Sequence, residues 1–168
     1  MELLECRLEI EDLDSFVAEI GEIGDRHDVT IQAFDSRYVA DRHHLERAVE
    51  LADRAIERGE NVARDRAVEI LLYAAGRRQI DRALEMGVGE GDNRAVVLVD
   101  GDTDDAEAAA LADLEELDAF VEREPTLESR DEETLCDFFE ITDAERGVTD
   151  APLSALVGER VALLEVEK

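Results

Sequence analysis

Lysine is almost missing from this chain: of 18 basic residues only Lys168 is a lysine, and 17 are arginines. Cationic contacts therefore fall to guanidinium groups. Long apolar runs are missing too, and nothing approaches the roughly 18 residues of a membrane span. The opening Met1-Glu2-Leu3-Leu4-Glu5 puts no basic region ahead of an apolar one. No signal peptide is expected, and the cytoplasm is the expected address. The two cysteines, Cys6 and Cys136, are far apart and fit no metal-ligand spacing. Cys6 falls on the apolar phase of a strand, which predicts a buried thiol, and a disulfide is not expected in that compartment.

Catalytic patterns are equally scarce. The histidines are His27, His43 and His44; the adjacent pair points in different directions on a helix, with no ligand at four-residue spacing. Surface or helix-entry positions are expected for them. Ser15, Ser36, Ser129 and Ser154 lack a nucleophile-elbow context. With 46 carboxylates, acid pairs arise by chance everywhere and nominate no general acid and base. Gly87-Val88-Gly89-Glu90-Gly91 follows a helix and precedes a strand, the reverse of a dinucleotide fingerprint, and Glu90 and Asp92 would repel phosphate. A turn is expected there. The chain is thus expected not to be an enzyme, with no catalytic residue, no metal and no cofactor.

What is present is acid: the net charge is −28. A hydrophobic fraction of 45% argues against acidic disorder. Adaptation to molar salt accounts for the acidity better, because the Debye length shrinks there to about 3 Å and dense carboxylates repel little. An extreme halophile is the expected source, and the acidity then says little about partners.

At 168 residues one domain is expected. Leu4, Cys6, Leu8 and Ile10 alternate with polar residues over 3–10, the pattern of a strand covered on one face. A helix is predicted over 11–24, a strand over 29–34 and an amphipathic helix over 42–58. The last carries a stripe of Leu45, Ala48, Val49, Ala52 and Ile56, and Gly59 is a plausible end. Helices follow at about 64–75 and 79–86. Residues 95–99, wholly apolar, suit a central buried strand. An Ala/Leu helix opens after Asp100–Thr103 and is expected to run to about Arg123. Further helices are predicted over 131–139, from the capping pattern Thr142-Asp143-Ala144-Glu145, and as a turn from 150–152. RVALLEV over 160–166 is read as a closing strand. The expected fold is α/β or α+β: one domain, with a sheet of four or five strands flanked by helices.

Charge is unevenly spread. Residues 1–36 carry net −9 and residues 95–168 net −18, but residues 37–94 hold 12 acids and 11 arginines, net −1. Intrahelical pairs such as Glu50–Arg54 explain part of this. They explain less well Arg64, Arg66, Arg77, Arg78 and Arg82, grouped around the helix at 64–75. At 100° per residue that helix puts Ala67, Val68, Ile70, Leu71, Leu72, Ala74 and Ala75 on one broad side and Arg66, Glu69 and Tyr73 on the other. An outward tyrosine beside arginines suits stacking a base and gripping its phosphate. The alternative is a solvated helix face with a half-buried tyrosine.

These residues also carry a family resemblance. Asn61-Val62-Ala63-Arg64, Glu69-Ile70-Leu71-Leu72-Tyr73-Ala74-Ala75-Gly76, Arg77-Arg78-Gln79-Ile80, Ala83-Leu84 and Gly87-Val88 resemble the central signature of the small tRNA-binding regulatory subunit of the KEOPS complex, related to the PRPK-binding protein. Gln32-Ala33-Phe34-Asp35 and Glu159-Arg160-Val161-Ala162-Leu163-Leu164 extend the resemblance in order along the chain. It implies a non-enzymatic α/β domain that binds the small atypical kinase/ATPase subunit of KEOPS. It also implies capture of tRNA at its 3′ CCA end, while another subunit installs threonylcarbamoyl on adenosine. Arg64, Arg77 and Arg78 are then expected at phosphates, and Asn61 and Gln79 at bases or sugars. Arg66, Tyr73 and Arg82 complete the expected tRNA site. A protein-only adaptor for the kinase subunit is the alternative.

Overall fold

Alternating Leu4, Cys6, Leu8 and Ile10 do form a strand with one buried face. The computed structural model describes residues 1–129 and 131–167, apart from the side chains of Ser129 and of residues 165–167. In chain order the elements are β1 (Glu2–Ile10), α1 (Leu13–His27), β2 (Val29–Asp35), α2 (Arg42–Glu57), α3 (Arg66–Ala75), α4 (Ile80–Ala83), β3 (Gly91–Gly101), α5 (Asp104–Glu115), β4 (Phe120–Arg123), α6 (Glu132–Phe139), α7 (Asp143–Gly147) and α8 (Leu153–Glu167), with short 3₁₀ turns between some of them. Two compact units result: Met1–Ser36 with Gly87–Glu128, and Arg37–Met86 with Ser129–Lys168.

The first unit is a four-stranded antiparallel sheet in the order β2-β3-β1-β4. The all-apolar strand takes a central place, as expected: β3 pairs with β1 from Glu2↔Val99 to Ile10↔Gly91 and with β2 from Val29↔Gly101 to Asp35↔Ala95. One sheet face packs Cys6, Leu8, Ile31, Ala33, Val97 and Val99 against Phe16, Ile20 and Ile23 of α1 and Ala110 and Leu114 of α5. This is the α/β architecture read from the sequence, with four strands among the described residues. No described helix is long and apolar enough to cross a membrane.

The second unit is helical, with α3 packed against α2, α8 and α4. Four of its helices carry acidic or hydroxyl N-terminal caps: Asp41 accepts from the His44 amide, Asp65 from those of Ala67 and Val68, Asp131 from those of Glu133 and Thr134, and Thr142 from that of Glu145. The capping pattern at Thr142 is thus real.

Two predicted elements are corrected. The segment 160–166 is not a strand but the second half of α8. Leu153, Leu156, Val157, Val161 and Leu164 are buried at three- and four-residue spacings, a helical face that alternation over a short apolar run imitates. The Ala/Leu helix stops at Glu115, and Phe120–Arg123 instead forms β4, an edge strand paired to β1 with an irregularity between Arg7 and Leu8. Four residues at an edge carry too little alternation to be recognised.

Glycine chemistry gives a test at the end of α3. Gly76 sits at φ +62°, and a Cβ there would lie 3.0 Å from the Arg160 carbonyl oxygen of α8. Gly158, inside α8, would meet nothing within 4 Å. Gly76→Ala is expected to cost about 1–3 kcal/mol in urea unfolding, whereas Gly158→Ala gains about 0.5–1 kcal/mol. Equal effects of the two would refute this account of the α3–α8 approach.

Candidate nucleic-acid interface

The helix α3 is apolar enough to be buried on nearly every side. From Glu69 to Ala75 every residue is buried, including Glu69 and Tyr73, each 0% exposed. This corrects the expectation that Tyr73 faces outward. A wheel drawn from one helix cannot register that neighbours close around it, and in this conformation Tyr73 offers no ring for stacking.

The buried Glu69 carboxylate needs hydrogen-bond donors, and the preceding loop supplies them. The backbone N–H groups of Val62 and Ala63 donate to Oε1, each at 3.0 Å. Asn61 donates from its side chain to the Ala63 carbonyl at 2.8 Å. The Asn61–Arg64 loop is therefore shaped from within, with Ala63 buried, Asn61 half-buried, and Val62 and Arg64 exposed.

The remaining arginines do not form one patch. A ten-residue helix is about 15 Å long, so Arg64 and Arg66 start α3 while Arg77, Arg78 and Arg82 lie beyond its other end. Arg66 is tied to Asp53 of α2 by Nε at 2.7 Å and a terminal nitrogen at 2.9 Å. Arg77 donates to the Phe138 carbonyl, lies 4.0 Å from the Glu140 carboxylate and sits over the Phe138 ring at 5.1 Å. Both serve packing between helices, which corrects their expected place among outward-facing cations. Arg160 completes the cap on α6, donating to the Phe139 carbonyl at 3.0 Å. Arg78, Gln79 and Arg82 are exposed, with Arg82 3.5 Å from Glu85. Ile80 and Leu84 are exposed beside them in sequence, at 45% and 57%.

An arginine–aromatic cluster does exist, joining Arg77 to Arg37, Tyr38 and Phe138, three residues not expected in the site. Arg37 lies over the Tyr38 ring at 5.6 Å, Tyr38 meets Phe138 edge-on at 5.2 Å, and Arg77 covers Phe138. Tyr38 is half-buried, Arg37 exposed and Phe138 buried. The signal was available, since Tyr38 is the chain's other tyrosine and follows an arginine directly.

The titratable interior is structural. His44, at the entry of α2, accepts from the Ala40 N–H through Nδ1 at 3.1 Å, and its Nε2 pairs with the Ala74 carbonyl at 2.8 Å. Those partners require the neutral ring with hydrogen on Nε2. Burial lowers its pKa, outweighing the Ala74 hydrogen bond and the nearby Asp41 charge. Cys6 is buried as expected, and that burial pushes its thiol up to about 12. Among the described residues no group of three or more His, Cys, Asp or Glu is placed to hold a metal ion. In place of the expected turn, Gly87 bridges to Phe34, residues 88–90 form a short loop and Gly91 already opens β3; the Asn93 side chain bonds the backbone N–H and C=O of Gly89.

A comparison with sequence families matches residues 10–165 to the family described as kinase binding protein CGI-121. No curated protein matches the chain.

Two outcomes are expected from the buried polar groups. Glu69→Gln removes the carboxylate that holds the Val62 and Ala63 amides and should cost about 1–3 kcal/mol, with faster tryptic cleavage after Arg64; unchanged stability and cleavage would contradict the anchoring role. For His44 the folded pKa is the lower one, so the unfolded chain takes up a proton first. Stability should fall as pH drops below about 6.5. His44→Gln should lose that component of the pH slope in urea unfolding, and an unaltered slope would count against it.

Proposed function

The chain belongs to the family of the kinase binding protein CGI-121, and from that membership we propose that it is a non-catalytic subunit of a KEOPS-type complex, binding the small kinase/ATPase subunit and tRNA. In this reading it works in the cytoplasm of a cell rich in salt and presents tRNA, by its 3′ CCA end, for threonylcarbamoyladenosine formation elsewhere in the complex.

The observation that carries the reading is the family match over residues 10–165. Support for the RNA half comes from the exposed Arg64, Arg78, Gln79 and Arg82, all within the near-neutral stretch of an otherwise acidic chain. Asn61 shapes the loop that displays Arg64. Molar salt removes most counterion-release affinity, so hydrogen bonds and stacking must carry more of the binding. The Arg66–Asp53 pair and the interior Tyr73 favour a second reading, a protein-only adaptor that regulates the kinase subunit without touching RNA.

The two readings separate in one titration. The variant Arg64→Glu/Arg78→Glu/Arg82→Glu should bind tRNA roughly tenfold or more weakly than the parent chain, while keeping its affinity for the kinase subunit. Removal of the CCA end should weaken parent binding similarly. A parent chain that binds the kinase subunit but no tRNA would leave the adaptor reading.

A further inference from the structure

Among the described residues the Arg64 side chain stands apart. Every other described arginine enters a hydrogen bond, an ion pair, a ring contact or another electrostatic interaction within the protein. Arg64 is exposed and no described residue pairs with it. In a chain of net charge −28, a guanidinium that no described carboxylate engages is open to an outside anion.

We infer that Glu69 is a positioning residue for RNA: its buried carboxylate fixes the loop from which Arg64 meets a phosphate. The inference rests on the RNA half of the proposed function and adds to it the interior group that sets the geometry of one contact.

The physical case has three parts. First, the backbone is held on both sides of Arg64. The Gly59 and Glu60 N–H groups donate to the Ile56 and Ala55 carbonyls of α2 at 3.1 and 2.9 Å. Those of Val62 and Ala63 donate to Glu69, which is 0% exposed, and Asp65 starts α3 as its cap. Second, such a loop has little freedom left to lose when its arginine grips an anion. In molar salt long-range attraction is screened, so the contact depends on a charge-assisted hydrogen bond and therefore on geometry. Third, the acid next to Arg64 in sequence is occupied. Asp65 accepts from the Ala67 and Val68 amides at 2.8 and 3.3 Å.

The test is a double-mutant cycle on the full chain. Intact tRNA is the probe, filter binding in molar salt the measurement, and circular dichroism the check on folding. Arg64→Gln should weaken binding roughly tenfold. Glu69→Gln changes a side chain that lies wholly inside, yet should weaken binding about three- to tenfold. Combined, the two should lose no more than Arg64→Gln alone, because a positioning residue has no effect once the group it positions is gone. A purely structural Glu69 would give no loss in the folded variant, or a loss that multiplies with that of Arg64→Gln; either result overturns the inference. Should Glu69→Gln not fold, Val62→Pro takes its place. It deletes one donor to Glu69 at an exposed position, and the same non-additive loss is expected. Weaker binding of Glu69→Gln to the kinase subunit and not to tRNA would reassign the loop to a protein contact and overturn the inference too. Full affinity in Arg64→Gln would overturn it while leaving the RNA reading to Arg78, Gln79 and Arg82. A parent chain that binds no tRNA would sink both the inference and the RNA half of the proposed function.

Discussion

A carboxylate and a phenol, both at 0% exposure within one ten-residue helix, have to be accommodated inside protein. The carboxylate is the more demanding, because an ionised group without donors costs several kcal/mol to bury. Glu69 is satisfied by backbone amides of Val62 and Ala63, so the core dictates the shape of a surface loop. At the other end of α3, Gly76 lets α8 approach closely, and Arg77 reaches onto α6. The residues available to a partner are consequently those that flank the buried Glu69–Ala75 segment of α3, not those on it.

The same economy explains much of the local charge. Within residues 37–86 arginines meet carboxylates in the pairs Arg42–Glu46, Arg47–Glu50, Arg54–Glu50, Arg66–Asp53 and Arg82–Glu85. Exposed pairs of this kind contribute little each. Their effect is to leave this stretch near neutrality while carboxylates dominate elsewhere. Other acids are consumed as helix caps, where aspartate satisfies amides that would otherwise go unbonded.

Periodicity made β1 and α2 legible, because each repeats its pattern for several residues, and the wholly apolar run of 95–99 marked the central β3. Cys6 was placed correctly for the same reason. The C-terminal helix was misread because RVALLEV supports either period, and β4 because its four residues lie at an edge. Tyr73 and Arg66 failed differently. Their environments are set by α2, α4 and α8, and by Asp53 thirteen residues away, so no local pattern encodes them. The fold class was therefore legible, but the composition of the candidate site depended on contacts that only packing reveals.

The account stands or falls on assembly. Coexpression with the small kinase/ATPase subunit, followed by gel filtration in molar salt, should yield one peak containing both proteins and tRNA. If this chain elutes alone, free of the kinase subunit and of RNA, the proposed role is contradicted.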